Sequence, residues 1–293
     1  VPNQGHGVYI RDGEGNVVGG EAAYRNYIAG NAGDGVHIDG DGSLPRHVVA
    51  ANRIGLFVPG LAAATNGGHG IALQDAAGIV VGGTNAGNGN ICGGNLGHGI
   101  VVSGALSDAH AILGNRIGTD ADGTRAVPNG GCGVALRAGG GHTVAGNLLA
   151  GNAGDGLLIE GAAVCEVDAS RNRIGTRLNG REAVPNGGSG IRIVDAPTNY
   201  ILENLISGNA GNGIAVSNSA PPYNSARNNL ISGNWIGTDA DGLQPLGNGD
   251  NGILLHQVTF TRIGAQNVIA ANTDDGIEIR GLASHDNFIQ GNV

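Results

Sequence analysis

Three Gly-His-Gly triplets place His6, His69 and His98 at the same point of a recurring pattern, and Asp34 takes that point in the copy between the first two. If the copies stack at the ~4.8 Å spacing of neighbouring strands, imidazoles and a carboxylate form a column able to hold a divalent metal such as zinc or nickel. The competing reading is a row of solvated turn residues. It is the preferred one, because later copies carry Cys132, Asp155, Ser189, Asn212, Asn251 and Asp275 at the same point. A second metal candidate is calcium at the pairs Asp120/Asp122 and Asp239/Asp241, where carboxylates two residues apart beside a glycine suit a hard cation. The equivalent loop with Arg177 and Asn179 lacks such a pair, so ordinary Asp-Gly turn chemistry is preferred there too. A lyase or epimerase needs a base facing carboxylates. His37, Arg192 and Glu278 are spread over many repeats, and the densest acids, Glu160, Glu166 and Asp168, read as solvated. No catalytic residue and no organic cofactor is assigned.

The elements that must position these residues come from a repeat. A Gly-apolar-x-apolar tetrad occurs ten times, starting at Gly7, Gly35, Gly70, Gly99, Gly133, Gly156, Gly190, Gly213, Gly252 and Gly276. The intervals alternate between short and long, from 23 to 39 residues. Apolar residues two apart mean a strand with one buried face, while the mixed residues between them (Tyr9, His37, Ala72, Leu158, Arg192) are expected to face outward. Between tetrads an Asn-x-apolar signature recurs at Asn26, Asn52, Asn90, Asn115, Asn147, Asn172, Asn204, Asn234, Asn267 and Asn287. An asparagine once per coil predicts a hydrogen-bonded asparagine ladder along the stack. Long coils insert loops at 117–129, 236–248 and, as a variant, 174–186, and such loops are where recognition is expected.

Coils of this length, with no 3.6-residue pattern, predict an all-β fold: a right-handed parallel β-helix of about ten coils, read as one domain over residues 1–293. Composition agrees. Gly is 58 of 293 residues and aromatics are 3%, too few for an ordinary globular core, while 40% hydrophobic and 13% charged residues exclude a disordered polymer. The net charge is −9, lysine is absent and the arginines are scattered along the chain, so nucleic acid is not an expected partner. No apolar run approaches the ~20 residues of a membrane span. Cys92, Cys132 and Cys165 lack the spacing of a zinc knuckle and read as free thiols.

The phrases Ile-Gly-Thr-Asp-Ala-Asp-Gly, Val-Pro-Asn-Gly-Gly and Asn-Leu-Ile-Ser-Gly-Asn resemble the right-handed parallel β-helix repeats of large bacterial surface and secreted proteins, within the pectate-lyase-like superfamily. That resemblance covers essentially the whole chain. It implies the fold, but the superfamily includes polysaccharide lyases, hydrolases, epimerases, tailspikes and adhesins. The Gly-His-Gly triplets with Asn272-Thr273-Asp274-Asp275 also resemble a polygalacturonase motif, but the order is reversed and the lysine motif is missing. The chain opens on Val1-Pro2-Asn3, matching 127–129, and closes in a pattern matching 113–116, with no capping sequence. A segment of a longer array is expected. The functional expectation is a non-catalytic structural or adhesive segment of an extracellular or cell-surface protein, associating with flanking coils or further copies, with polysaccharide as a candidate ligand. The alternatives are a polysaccharide lyase or glycoside hydrolase with a groove along one sheet, and a subunit of an end-to-end filament.

Overall fold

The computed structural model describes residues 2–43 and 46–293; Val1, part of the opening Val-Pro-Asn, lies outside them. Three parallel sheets run the length of the molecule. Sheet 1 holds the ten tetrads, from Val8–Arg11 to Ile277–Arg280. Sheet 2 has ten strands, from Val17–Gly19 to Phe288–Ile289, and sheet 3 has nine, from Tyr27–Ile28 to Val268–Ile269. The register is the repeat itself: Val8 pairs with Val36, Ile100 with Ile71 and Val134, and Ile191 with Ile214. A single 3-10 turn, Ala22–Tyr24, departs from strand and turn among the described residues. No helix there is long and apolar enough to cross a membrane.

Sheet 1 contributes two aliphatic stacks, and sheets 2 and 3 one each, to a shared core. Ile71, Leu73, Ile100, Val102 and Val134 come from sheet 1, Val81, Ile112 and Val144 from sheet 2, and Ile54, Ile117, Leu149 and Ile174 from sheet 3, all fully buried. Cys92 occupies the place of an isoleucine in that last stack, and burial pushes its thiol up to about 12. All three cysteines are free. The tetrad glycine is required by close approach: a Cβ at Gly99 would collide with Ile117 Cγ2 and lie 2.6 Å from the Gly133 carbonyl oxygen. The residue Gly118, by contrast, has φ +88°, which an L side chain resists.

Three expectations need correction. The residues between the tetrad's apolar pair do not mostly face solvent: Ala72, Val101, Ala135, Leu158, Ala215 and Leu254 are buried. Strand spacing stacks these residues on one another, and Ala72, Val101, Cys132, Ala135, Leu158 and Val194 make a second apolar cluster outside the core. The ladder begins at Asn26 and runs through Asn52 and Asn115 to Asn267 as expected, but its last member is Asn292. Asn287 precedes the sheet 2 strand Phe288–Ile289 and so lies one corner earlier, where its Oδ1 accepts the Thr261 amide. Finally, the arginines scattered in sequence gather in part on the rod, because stacking brings three of them around one hollow and two around another.

Candidate functional site

Further polar columns accompany the expected ladder. A second asparagine ladder follows sheet 3, from Asn3 through Asn31, Asn66, Asn95, Asn129, Asn152, Asn186, Asn209 and Asn248 to Asn272, with side-chain bonds of 2.8–3.0 Å. Its sequence signal was present in the Val-Pro-Asn phrases ending at Asn3, Asn129 and Asn186. The Gly-x-Gly position forms another column, in which a side chain of one coil accepts the amide of the next. His6 Nδ1 accepts the Asp34 amide at 3.0 Å, Asp34 Oδ1 that of His69 at 2.6 Å, His69 Nδ1 that of His98 at 2.9 Å, and His98 Nδ1 that of Cys132 at 2.9 Å. Asp155 and Asn251 do the same for Ser189 and Asp275. This position is therefore not a row of solvated turn residues: Asp34, Cys132, Asp155, Ser189, Asn212 and Asn251 are buried. Burial, with His69 beside it, pushes the His98 imidazole down to about 4.

The four residues of the expected metal column do not converge. His69 and His98 stack with ring centroids 5.2 Å apart, whereas His6 and Asp34 converge with His37, a residue read from sequence only as an outward strand position. Asp34 Oδ2 lies 3.2 Å from His6 Nδ1 and 2.7 Å from His37 Nδ1, and the two imidazole centroids are 4.4 Å apart. Among the described residues this is the one group of three such side chains whose ligand atoms all lie within 4.8 Å. Burial raises the Asp34 carboxyl, but hydrogen bonds from the His37 ring and the His69 amide outweigh it, so its pKa is lowered. Tyr9 stands beside this group, its hydroxyl donating to Asp39 Oδ2 at 3.2 Å, with Arg11 Nε 3.9 Å from the same oxygen. Arg192 and Glu278, the other outward candidates, lie coils away on the same sheet.

The calcium candidates are engaged locally. Asp120 Oδ1 accepts the Thr124 amide at 2.8 Å and its Oδ2 lies 3.2 Å from Arg125 Nε; Asp239 Oδ1 accepts the Leu243 amide at 2.9 Å. Asp241 pairs with Arg181 at 2.9 Å, and Asp122 lines a surface recess with Arg177 and Asn179. These carboxylates shape their loops. Among the described residues four loops have this form, each pinched by an antiparallel bridge: Leu56 to Ala63, Thr119 to Ala126, Thr176 to Ala183 and Thr238 to Pro245. The first was missed in the sequence, although Ile54 and Asn66 keep the 12-residue spacing of Ile117 and Asn129.

The loops join into a wall. The Ala121 amide donates to the Gly60 carbonyl, Leu178 to Gly123 and Ala240 to Gly180, each at 2.9 Å, so the loops reach across the short coils between them. Between this wall and the corner joining sheets 2 and 3 the outer face of sheet 3 opens in two hollows, separated at Leu148, which is buried. Five of the 15 arginines line them, Arg25, Arg53 and Arg116 in one and Arg171 and Arg173 in the other. Arg53 donates to the Pro59 carbonyl and Arg116 to that of Ala121, bracing the loops. The second of them is a pocket of about 370 Å³ floored by Arg173, Leu205 and Trp235 and flanked by Arg171, Glu203 and Ala240. The first, of about 190 Å³, lies at Arg53, Ile91, Arg116 and Ala121.

A family model described as the right handed beta helix region matches residues 111–246. The chain is a right-handed parallel β-helix. Among solved structures, a mutant of the periplasmic alginate epimerase AlgG is 16% identical with a TM-score of 0.46, over 98% of this chain and 47% of that one. A double mutant of the same epimerase is 11% identical with a TM-score of 0.50, over 88% of this chain and 61% of that one. The A-module of the mannuronan C-5 epimerase AlgE4 from Azotobacter vinelandii is 15% identical with a TM-score of 0.40, over 98% and 87%. The β-helix thus spans about half the length of the first of these relatives. At these identities the likeness shows the fold alone. No curated protein matches the chain in sequence.

Proposed function

We propose that this β-helix is a non-catalytic adhesive segment of an extracellular or cell-surface protein, holding an acidic polysaccharide in the pocket between the loop wall and sheet 3. The observation that carries the reading is the pocket at Trp235. An indole offers an apolar face to a sugar ring, Arg173 offers a forked donor to a carboxylate beside Arg171, whose Nε is held by Glu203 at 2.8 Å, and about 370 Å³ falls within the size range of ligand sites. The net charge of −9 makes an arginine-lined pocket a local exception rather than a property of the whole surface.

A second reading, a polysaccharide lyase or hydrolase working on the outer face of sheet 1, is favoured by Tyr9, His37, Asp39 and Arg11 on two adjacent coils. The deciding experiment incubates the chain with acidic and neutral polysaccharides, scoring retention by affinity electrophoresis and chain length by mass spectrometry. Retention of an acidic polymer at full length is the expected result. Shortened products would transfer the assignment to the second reading, and absence of retention by a folded sample would overturn the adhesive one.

A further inference from the structure

The structure assigns a transition-metal site to His6, Asp34 and His37, with zinc as the representative ion. Each member of the Gly-x-Gly column needs one acceptor for the next coil's amide, and Asp34 meets that need with Oδ1. Its second oxygen, Oδ2, has no role in the backbone, yet it is buried with the rest of the residue, which is 7% exposed. In the other aspartate of the column's interior, Asp155, the spare oxygen meets only the Cys132 thiol at 3.9 Å. At Asp34 two imidazoles meet it instead, at 2.7 and 3.2 Å.

These imidazoles depart from the repeat. The outward strand position of His37 is Ala72, Val101, Ala135 and Leu158 in the next coils, where it builds an apolar stack. A histidine there, three residues after an aspartate and beside the histidine of the preceding coil, puts two nitrogens and one oxygen around one point. A tetrahedral zinc with bonds of ~2.0–2.2 Å holds its ligand atoms roughly 3.3–3.6 Å apart, so the observed separations need only a small expansion. The ion takes the place of the hydrogen between Asp34 Oδ2 and His37 Nδ1, and the ring proton of a neutral His37 moves to Nε2. His6 contributes Nδ1, the atom 3.2 Å from Asp34 Oδ2, and gives up the Asp34 amide that it now accepts. That exchange costs one hydrogen bond of about 1 kcal/mol. Both imidazoles are partly exposed, giving the ion a path and leaving a fourth position for water.

The test is equilibrium dialysis of the chelator-stripped protein against zinc near pH 7. One zinc per chain is expected for the wild type, with binding weakened by at least about tenfold in His37→Ala, since loss of even a supporting partner costs that much. His69→Asn, which keeps an amide acceptor in the column, should bind as the wild type does. No zinc on the wild type, or unchanged binding in His37→Ala, overturns the site; equal loss in His69→Asn overturns it in favour of an ion held by the longer column. Should His37→Ala fail to fold by circular dichroism, the wild type is titrated with cobalt(II). The visible absorption of a tetrahedral nitrogen and oxygen site supports the assignment, and the spectrum of free aqueous cobalt overturns it.

Discussion

Asn115 and Asn147, 32 residues apart in sequence, are joined twice: the Asn115 amide and its Nδ2 both donate to Asn147 Oδ1, at 2.9 and 3.0 Å. The second Nδ2 hydrogen goes the other way, to the Val81 carbonyl at 2.9 Å, so each ladder asparagine ties three successive coils. The position is closed to solvent, with Asn115 1% exposed.

Asn115→Ala strands the Asn90 amide and side chain, which now donate to Asn115 Oδ1, together with the Val81 carbonyl. Buried unpaired groups cost ~1–3 kcal/mol each, so a loss of about 2–5 kcal/mol is expected in urea unfolding. The exposed Asn85→Ala should change stability by less than about 0.5 kcal/mol.

Acid sensitivity should originate in histidines. His110 Nδ1 accepts the Ile79 amide at 3.2 Å, and burial, with His142 stacked beside it, pushes the imidazole down to about 3. The folded pKa is below the unfolded value of about 6.5, so the unfolded chain binds more protons between these limits. Stability is complete above pH 6.5 and falls as the pH drops toward 3. At pH 5 the loss from His110 is about 2 kcal/mol, roughly 1.5 pH units at ~1.36 kcal/mol each. Asn199 and Asn229 occupy the same column and present Oδ1 to the same kind of amide. The double variant His110→Asn, His142→Asn should therefore flatten the fall in melting temperature between pH 7 and 5. An unchanged pH profile would count against this origin.

Much of the fold was legible in the sequence, because the repeat is one-dimensional. Tetrad spacing alone gives the register of sheet 1, since Val36 can only stack on Val8 if coils close. What sequence concealed were relationships between different points of adjacent coils. His37 was legible as an outward residue, but its approach to His6 and Asp34 depends on how far the corner before sheet 1 brings the previous coil inward. The hollows were hidden for a similar reason. Arg53, Arg116 and Arg173 occupy equivalent points of coils tens of residues apart, and only stacking gathers them. Asn287 was misplaced because Asn-x-apolar occurs before sheet 2 as well as before sheet 3.

Glycines with and without positive φ should respond differently. A Cβ at Gly99 would collide with the Gly133 carbonyl and Ile117, neither of which can withdraw without opening the coil. Gly99→Ala should cost more than about 4 kcal/mol or prevent folding. Gly146 has φ +66°, and the space a Cβ would enter is open, with nothing within 4 Å. Gly146→Ala should therefore cost only about 1–2 kcal/mol, the strain of a left-handed residue. Thermal unfolding of the two variants checks the contrast.

At the larger hollow, Trp235 packs one edge toward Gly242 of the loop wall, where a Cβ would lie 3.2 Å from the indole, and its remaining surface floors the pocket between Arg173 and Leu205. Trp235→Ala removes the stacking platform, and Arg173→Gln removes the charge while keeping a long polar side chain. Neither residue belongs to the aliphatic core. Both variants should keep the circular dichroism of the parent, and each should weaken retention of an acidic polysaccharide by about tenfold, ~1.4 kcal/mol. The Arg173→Gln loss should shrink as salt rises, because an exposed charge is screened, whereas the Trp235→Ala loss should persist. Equal retention by both variants and the wild type at low salt would place any polysaccharide contact elsewhere on the rod.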